Sequence, residues 1–309
     1  MDGYRGCQHS TQSAAFLPCR SKGPANPSDG EGPPTDAASS MQLTVDHHPV
    51  NLSRWAPSSA SPDAPALLLL HGALNDASVW GQLGPACAAA GQRVLAPDQP
   101  GHGGSAGPLR PDIAALAAWA LRVADAAGLD RFSVAGHSMG SLIALEVAAQ
   151  APERVAHLLL LGTAFPMRVS PALLESAVAT PEAGMDLINT LSYSPAAAAQ
   201  TEGPLAEARA ASRALMARTQ AGCTDGNLFL HDFQLCDRYA DGLAAAARVR
   251  CPVTLIQAEA DRMTPAKATV ALVEALKAEV RAVPGGHAML QEQPEAVARA
   301  VLEALGAAP

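Results

Sequence analysis

Short apolar runs alternate with amphipathic stretches along most of this chain. Ala66–Leu70 and Val155–Leu161 are almost continuously apolar, which is typical of strands that are covered on both faces. Pro111–Ala127 is predicted to be a helix, with proline at the start where it is tolerated. Strands that alternate with helices of this length indicate βαβ units and a mostly parallel sheet, and therefore an α/β fold class.

The other predicted elements complete this alternation. Four further strands and four further helices are predicted, after a lead-in hairpin of two strands. The hairpin strands are Gln42–Val45 and Val50–Trp55, and the other strands are Arg93–Ala96, Arg131–Ala135, Pro252–Gln257 and Glu279–Val283. The helices are Val79–Ala90, Ser141–Ala149, Pro265–Leu276 and Pro294–Leu305.

The alternation stops between Leu161 and Cys251, where the chain is rich in alanine, interrupted by prolines and without a convincing strand. Long insertions near a site are usually functional, so residues 164–240 are predicted to form a helical lid. The lid divides a core of residues 41–163 and 241–309. Residues 1–40 have the composition of a disordered tail without a signal peptide, and Met41 stays open as an alternative start.

Composition and charge narrow the class of protein. With 309 residues and 49% hydrophobic residues, the chain can form one large α/β domain with an inserted lid. A net charge of −8 argues against nucleic acid or an anionic membrane surface as the main partner. No apolar run approaches the roughly 20 residues that span a bilayer. The six scattered cysteines match no zinc site and are expected to be reduced thiols of a cytoplasmic protein.

The motif with the most chemical information is Gly136-His137-Ser138-Met139-Gly140. It has the pattern G-x-S-x-G and lies between a predicted strand and a predicted helix. In that context the serine is held on a sharp turn, exposed at the end of the sheet, beside the free N–H groups of the next helix. Ser138 is therefore the predicted nucleophile, and the alternative is a turn whose serine only caps the helix.

A second match to the same pattern, Gly103-Gly104-Ser105-Ala106-Gly107, lies in a different context. It follows turn residues rather than a strand, and Pro108 and Pro111 prevent a helix from starting directly after it. Ser105 is therefore not expected to be a nucleophile.

A serine hydroxyl needs a base and an orienting acid. His287 follows a predicted strand, and in such sheets ligands bind beyond the carboxyl ends of the strands, so it is the predicted base. Asp261 follows another strand and is the predicted acid, with Glu259 as its main competitor. A structural role is preferred for His71.

The oxyanion of an acyl-transfer reaction needs two convergent N–H donors. The backbone amide of Met139 is one predicted donor, and Ala73 in the loop after Ala66–Leu70 supplies the second, with Leu74 as the alternative. Leu74, His102, Phe165 and Met289 are the predicted substrate-pocket residues.

Together these motifs resemble the α/β-hydrolase family. The resemblance rests on His71-Gly72, the Asp98-to-Ser105 turn, the serine motif, Asp261-Arg262-Met263-Thr264-Pro265 and Gly286-His287. It implies an eight-stranded, mostly parallel sheet flanked by helices, with an inserted lid over a catalytic triad of Ser138, Asp261 and His287. It also implies no metal ion and no organic cofactor. Family members that open epoxides or remove halides carry aspartate in place of the serine, so Ser138 argues against both activities.

The predicted activity is hydrolysis of a carboxylic ester, thioester or lactone of a small molecule through an acyl-enzyme on Ser138. Carbon–carbon bond hydrolysis of ring-fission products or a cofactor-free perhydrolase remains an alternative, and an acyltransferase or a non-catalytic ligand receptor is a further one.

Aromatic residues of the lid favour an apolar pocket or form the lid's own core. Four lid arginines could hold a substrate carboxylate or form a solvated helix face; they are Arg168, Arg209, Arg213 and Arg218. The oligomeric state cannot be inferred from the sequence.

Overall fold

The computed structural model describes residues 38–57 and 64–307. Its strands are β1 Ser39–Val45, β2 His48–Trp55, β3 Ala66–Leu70, β4 Arg93–Pro97, β5 Phe132–His137, β6 Val155–Leu161, β7 Val253–Ala258 and β8 Glu279–Val283. They form one eight-stranded sheet in the order β1-β2-β4-β3-β5-β6-β7-β8. Strands β3 to β8 pair in parallel, and β2 is antiparallel to both of its neighbours. The expected eight-stranded, mostly parallel sheet is confirmed.

The helices flank and extend this sheet. They are α1 Leu83–Ala89, α2 Ile113–Ala126, α3 Met139–Gln150, α4 Pro171–Ala179, α5 Pro181–Ser192, α6 Pro195–Ala198, α7 Pro204–Gly222, α8 Leu228–Arg238, α9 Gly242–Ala246, α10 Val270–Leu276, α11 Met289–Glu292 and α12 Pro294–Ala304. Short 3₁₀ turns cover Ala77–Trp80 and Ala266–Ala268. No helix within residues 38–57 and 64–307 combines the length and the apolar character that crossing a bilayer requires.

Two predicted helices are shorter than the sequence suggested. The predicted helix Val79–Ala90 divides into a 3₁₀ turn and α1, because Pro85 has no N–H group to continue a helix from Gly81. The predicted helix Pro265–Leu276 divides into a 3₁₀ turn and α10 at Thr269. The Thr269 hydroxyl donates to the carbonyl of Ala266 and so competes with the helical hydrogen bonds.

The predicted tail, residues 1–40, lies outside the described residues as far as residue 37. Its end belongs to the fold rather than to a tail, because β1 begins at Ser39, which pairs with Arg54 of β2. The four cysteines of the described part are free thiols, at positions 87, 223, 236 and 251.

Alternate residues of β3 build the two halves of the core. Leu68 and Leu70 belong to an apolar cluster with α2 and α3, and Leu67 and Leu69 belong to a second cluster with α1 and α12. All five residues of the strand are buried, as a strand covered on both faces requires. The register of the parallel strands brings their carboxyl ends to one edge of the sheet, where Leu70 pairs with Gly136 and His137 pairs with Leu161.

Helices α4 to α9 lie between β6 and β7, and the described residues contain no strand there. Of these helices, α4 to α8 fall within residues 164–240. We keep the name lid segment for residues 164–240. This segment has its own apolar cluster, which Leu74 of the core joins. The segment is therefore packed against the loop that follows β3, at the edge where the parallel strands end.

Candidate active site

The turn between β5 and α3 holds Ser138 in a strained conformation. Its backbone has φ 55° and ψ −122°, a region that residues other than glycine rarely adopt. The neighbouring glycines are needed for steric reasons. A Cβ atom at Gly136 would lie 1.9 Å from the carbonyl oxygen of Gly140, and one at Gly140 would lie 2.0 Å from the carbonyl oxygen of Leu70. The half-buried serine therefore sits at a turn that only small neighbours permit.

Asp261 and His287 form a buried pair beyond the ends of β7 and β8. The Nδ1 atom of His287 donates to Oδ2 of Asp261 at 2.8 Å. The other carboxylate oxygen accepts from the backbone amides of Met263 and Thr264, each at 2.8 Å. Burial opposes the charge of this carboxylate, but His287 and these hydrogen bonds outweigh burial and hold the pKa of Asp261 well below its usual value. Glu259, the competing acid, is exposed.

Ser138 and His287 line the same cavity. Within the described residues, the Nε2 atom of His287 has no hydrogen-bond partner, and the Ser138 hydroxyl makes no hydrogen bond to it. Catalytic hydrogen bonds are often long in ligand-free enzymes and shorten when substrate binds. The structure thus brings the predicted nucleophile, base and acid together at one edge of the sheet, with one ring nitrogen of the base left open.

Two backbone amides beside Ser138 also lack acceptors among the described residues. Met139 begins α3, so its N–H group has no acceptor inside the helix. Ala73 lines the cavity in the loop after β3. The alternative donor, Leu74, is already engaged, because its amide donates to Oδ2 of Asp232 at 3.0 Å. Ala73 and Met139 therefore remain the candidate oxyanion donors.

A family model described as the alpha/beta hydrolase fold matches residues 65–294 of this chain. The chain belongs to the α/β-hydrolase family. The match includes β3 to β8, the serine turn, the lid segment and the loops that carry Asp261 and His287.

Individual relatives of this α/β-hydrolase carry several different names. A candidate carbamate hydrolase, RutD, of Escherichia coli O6:H1 is 30% identical over 82% of this chain and 92% of its own length. A pimeloyl-[acyl-carrier protein] methyl ester esterase of Aromatoleum aromaticum is 41% identical over 32% of this chain. The crystal structure of an enol-lactonase from Burkholderia xenovorans LB400 has a TM-score of 0.75 at 21% identity and covers 86% of this chain and 100% of that one. The chain spans about a third of the length of the first curated relatives that it matches, 30% and 37%.

The cavity of this α/β-hydrolase is small, with a volume of about 70 Å³. Its wall comes mostly from the lid segment and from the loops after β7 and β8. Among its apolar lining residues are Val79, Ile188, Met216, Phe233, Met263 and Leu290. Polar groups are present as well, and Tyr193 and Ser212 share a hydrogen bond of 2.8 Å in the wall.

The four predicted pocket residues do not line this cavity. Leu74 is fully buried in the apolar cluster of the lid segment, and Met289 is fully buried in the cluster with α1 and α12. Phe165 packs edge-on against Tyr239, 6.0 Å between ring centroids. His102 turns its Nε2 atom to Asp232 at 2.9 Å. A role for these residues at a substrate pocket stays a prediction. In the structure, loop and helix contacts rather than position along the chain fix the direction of each side chain.

The lid arginines also do not reach the cavity. Arg213 binds Glu182 and Asp186, Arg209 donates to carbonyls of α6, and Arg168 donates to the carbonyl of Asp237. Arg218 is exposed. Of the five lid aromatics, Tyr193 and Phe233 do line the cavity.

Two residues that contact the Asp261–His287 pair were missed from the sequence. His137 donates from Nε2 to the backbone carbonyl of His287 at 2.9 Å, and burial, helped by the neighbouring His287, lowers the pKa of His137 to about 3. The hydroxyl of Thr264 donates to Oδ2 of Asp261 at 2.7 Å. Both lie inside motifs that the sequence singles out, beside Ser138 and Asp261, and that proximity was the available signal.

His71 has the structural role that the sequence favoured. Its Nδ1 atom donates to the carbonyl of Gly72 at 2.9 Å, and its Nε2 atom accepts from the amide of Gln99 at 3.0 Å. Ser105 accepts from the backbone amide of Asn51 at 2.9 Å and is buried in a turn. Neither residue lines the cavity at Ser138.

Proposed function

We propose that this protein is a serine hydrolase that cleaves a carboxylic ester, or a thioester or lactone, through an acyl-enzyme on Ser138. The observation that carries the proposal is the Asp261–His287 pair, whose histidine lines the same cavity as Ser138 and makes no hydrogen bond through Nε2 in the described residues. The strained turn at Ser138 and the two amides without acceptors support the same chemistry. The activity resembles that of carboxylesterases.

In the proposed first step, Nε2 of His287 takes the hydroxyl proton of Ser138 as Oγ bonds to the substrate carbonyl carbon. The amides of Ala73 and Met139 donate to the resulting oxyanion. The bond to the leaving oxygen then breaks, and the proton on Nε2 passes to that oxygen. The products of this step are a free alcohol and an acyl group on Ser138.

Water then removes the acyl group from Ser138 in a second step. His287 removes a proton from water as the water oxygen bonds to the acyl carbon, and the bond to Oγ breaks. The proton returns from Nε2 to Oγ, which restores Ser138 and releases the acid. Asp261 stays ionised throughout and stabilises the imidazolium that forms twice in the cycle.

The dimensions of the cavity favour a short acyl group. Its volume of about 70 Å³ is far below the roughly 300 Å³ of sites for drug-sized ligands. The apolar part of the wall suits an alkyl chain of a few carbons. A carboxylate-bearing ring-fission product is disfavoured, because Arg168, Arg209 and Arg213 are bound elsewhere.

A carbamate is the second candidate substrate, because the relative named as a candidate carbamate hydrolase aligns with most of both chains. The same triad could attack a carbamate carbonyl. An ester and a carbamate with the same p-nitrophenol leaving group would compare the two directly.

The test combines a chain-length series of p-nitrophenyl esters with a fluorophosphonate label mapped by mass spectrometry. We expect labelling at Ser138 and the highest kcat/KM for acyl chains of two to about four carbons, from the size of the cavity. Ser138→Ala should lower kcat by about 10⁶-fold, and Ser105→Ala is the matched control because it changes the other serine of the same pattern. Labelling elsewhere, or a Ser138→Ala variant within tenfold of the wild type, would contradict the proposal.

A further inference from the structure

A second buried histidine–aspartate pair lies where three separate segments of the chain meet. Asp232 of α8 contacts His102 in the loop after β4, with 2.9 Å between Oδ2 and Nε2. The same oxygen accepts from the amide of Leu74, in the loop after β3, at 3.0 Å. Asp232 is 1% exposed and His102 is 2% exposed. One carboxylate of the lid segment is thus bonded to two loops of the core.

The bond to Leu74 acts on a strained part of the backbone. Leu74 has φ 56°, a conformation that is unfavourable for a bulky residue and persists only when its surroundings hold it. Its side chain is fully buried in the apolar cluster of the lid segment. The carboxylate of Asp232 therefore fixes the amide, and the cluster fixes the side chain, of the residue next to Ala73.

The charged groups around Asp232 strengthen the hydrogen bonds that its carboxylate accepts. His102 donates from Nδ1 to the carbonyl of Pro100 at 3.1 Å as well as from Nε2 to Asp232, so both of its nitrogens are donors. His231 of α8 lies 3.3 Å from the second oxygen of Asp232. His71 lies on the far side of His102, with 5.0 Å between ring centroids. A buried carboxylate in this setting makes charge-assisted hydrogen bonds, which are stronger than neutral ones.

We infer that Asp232 is a positioning residue for the oxyanion hole, through which the docked lid segment holds the amide of Ala73 in place. The inference rests on the proposed function, because Ala73 matters in this way only if an oxyanion forms beside it. Preorganised donors contribute most when they need not move during the reaction. The lid segment would then contribute to rate, and not only to the shape of the cavity.

The substitutions Asp232→Ala and Asp232→Asn separate this role from a purely structural one. Alanine removes the acceptor, whereas asparagine keeps an oxygen that can accept from Leu74. We expect Asp232→Ala to lower kcat by about 10- to 100-fold with KM changed less than about threefold, since loss of one oxyanion donor costs about 10²- to 10³-fold. Asp232→Asn should retain kcat within about fivefold of the wild type.

Asp237→Ala is the matched control. Asp237 lies on the same helix and its Oδ1 atom accepts from the amide of Val169 at 3.0 Å, so it also joins α8 to a backbone amide, but away from Ala73. Rates should be expressed per site labelled to completion with fluorophosphonate, which counts only folded enzyme. If Asp232→Ala does not fold, Asp232→Leu removes the acceptor without leaving a cavity.

A boronic acid that forms a tetrahedral adduct on Ser138 supplies the second measurement. Its inhibition constant should rise in Asp232→Ala by about the factor by which kcat/KM falls, while inhibition by the product acid stays within about threefold. An unchanged kcat, a change confined to KM, or an equal loss in Asp237→Ala would overturn the inference. Loss of Ser138 labelling in the wild type would instead overturn the proposed function.

Discussion

The two buried histidine–aspartate pairs of this protein are similar in geometry but differ in what the second ring nitrogen does. Both contacts involve Oδ2 of the aspartate, at 2.8 Å for His287–Asp261 and 2.9 Å for His102–Asp232. In His102 the other nitrogen donates to the carbonyl of Pro100. In His287 the other nitrogen has no partner in the described part of the chain, and His287 lines the cavity of Ser138.

Under the proposed function, this difference separates a base from a structural ion pair. Burial favours the neutral form of His102, but Asp232 and the hydrogen bonds outweigh it, and the pKa of His102 is raised above its usual value. The pKa of Asp232 is correspondingly held far below its usual value, despite burial. A histidine that donates from both nitrogens cannot accept a proton. A buried His–Asp contact is therefore evidence for catalysis only when one ring nitrogen remains open to a cavity.

The largest expected effect comes from removing each histidine in turn. His287→Ala should lower kcat by about 10⁶-fold, as loss of the histidine of a serine triad does. His102→Gln should lower kcat by about tenfold, because it weakens only the support of the oxyanion loop. Steady-state kinetics with the best p-nitrophenyl ester would measure both. Equal losses in the two variants would mean that the two pairs do not differ in role.

Changing the two aspartates to asparagine gives the next largest effect. Asp261→Asn should lower kcat by about 10⁴-fold, because an amide can neither hold the correct tautomer of His287 nor stabilise its positive form. Asp232→Asn keeps an acceptor for Leu74 and should stay within about fivefold of the wild type. The same assay measures both, with the melting temperature as the control for folding. A small loss in Asp261→Asn would point to Glu259 as the acid.

Acid should destabilise the protein through its buried neutral histidines. Burial, followed by the positive charge of His102, lowers the pKa of His71 to about 4, whereas an unfolded histidine titrates near 6.5. The unfolded chain therefore binds the proton first as pH falls, and the contribution of His71 is lost between about pH 6.5 and pH 4. The expected decrease in the free energy of unfolding is about 3 kcal/mol. His137, whose pKa is lowered to about 3, adds to the decrease between about pH 6.5 and pH 3.

The variant His71→Gln tests this prediction by urea unfolding at pH 7 and pH 4. The decrease between the two pH values should be smaller in His71→Gln than in the wild type. His47→Asn, at an exposed position with φ 66°, is the control and should leave the decrease unchanged. His102 acts in the opposite sense, since its raised pKa gives stability that is complete below about pH 6.5 and is lost at higher pH. A decrease in His71→Gln of the same size as in the wild type would refute the view that His71 causes the loss of stability in acid.

Among the changes at the Asp261–His287 pair, the smallest expected loss of kcat concerns Thr264, which supports only that pair. Thr264→Val removes the hydroxyl that donates to Asp261 and should lower kcat by about tenfold with little change in KM. Thr269→Val is the control, because Thr269 is also buried but donates to a carbonyl of its own turn. It should lower the melting temperature and leave kcat unchanged. An equal loss of kcat in both variants would show only a general effect of destabilisation.

The sequence was informative wherever local spacing fixes local structure. Apolar runs such as Ala66–Leu70 identify the buried strands, and the glycines around Ser138 identify the strained turn, since both depend on neighbours a few residues away. Chain order, together with the rule that parallel strands end at one edge of the sheet, was enough to predict that Asp261 and His287 lie close together. The contacts of His102, Phe165 and Met289 could not be obtained in this way.

What the sequence determined by itself is the α/β sheet, the turn at Ser138 and the loops that carry Asp261 and His287, the proposed acid and base. Only the tertiary structure decided which side chains face the cavity, and that Asp232, far along the chain from Leu74 and His102, joins both. The physical reason is the separation along the chain over which each kind of interaction acts. Periodicity and turn chemistry act between near neighbours, whereas the lid segment and the core meet through packing and hydrogen bonds that no spacing in the chain records.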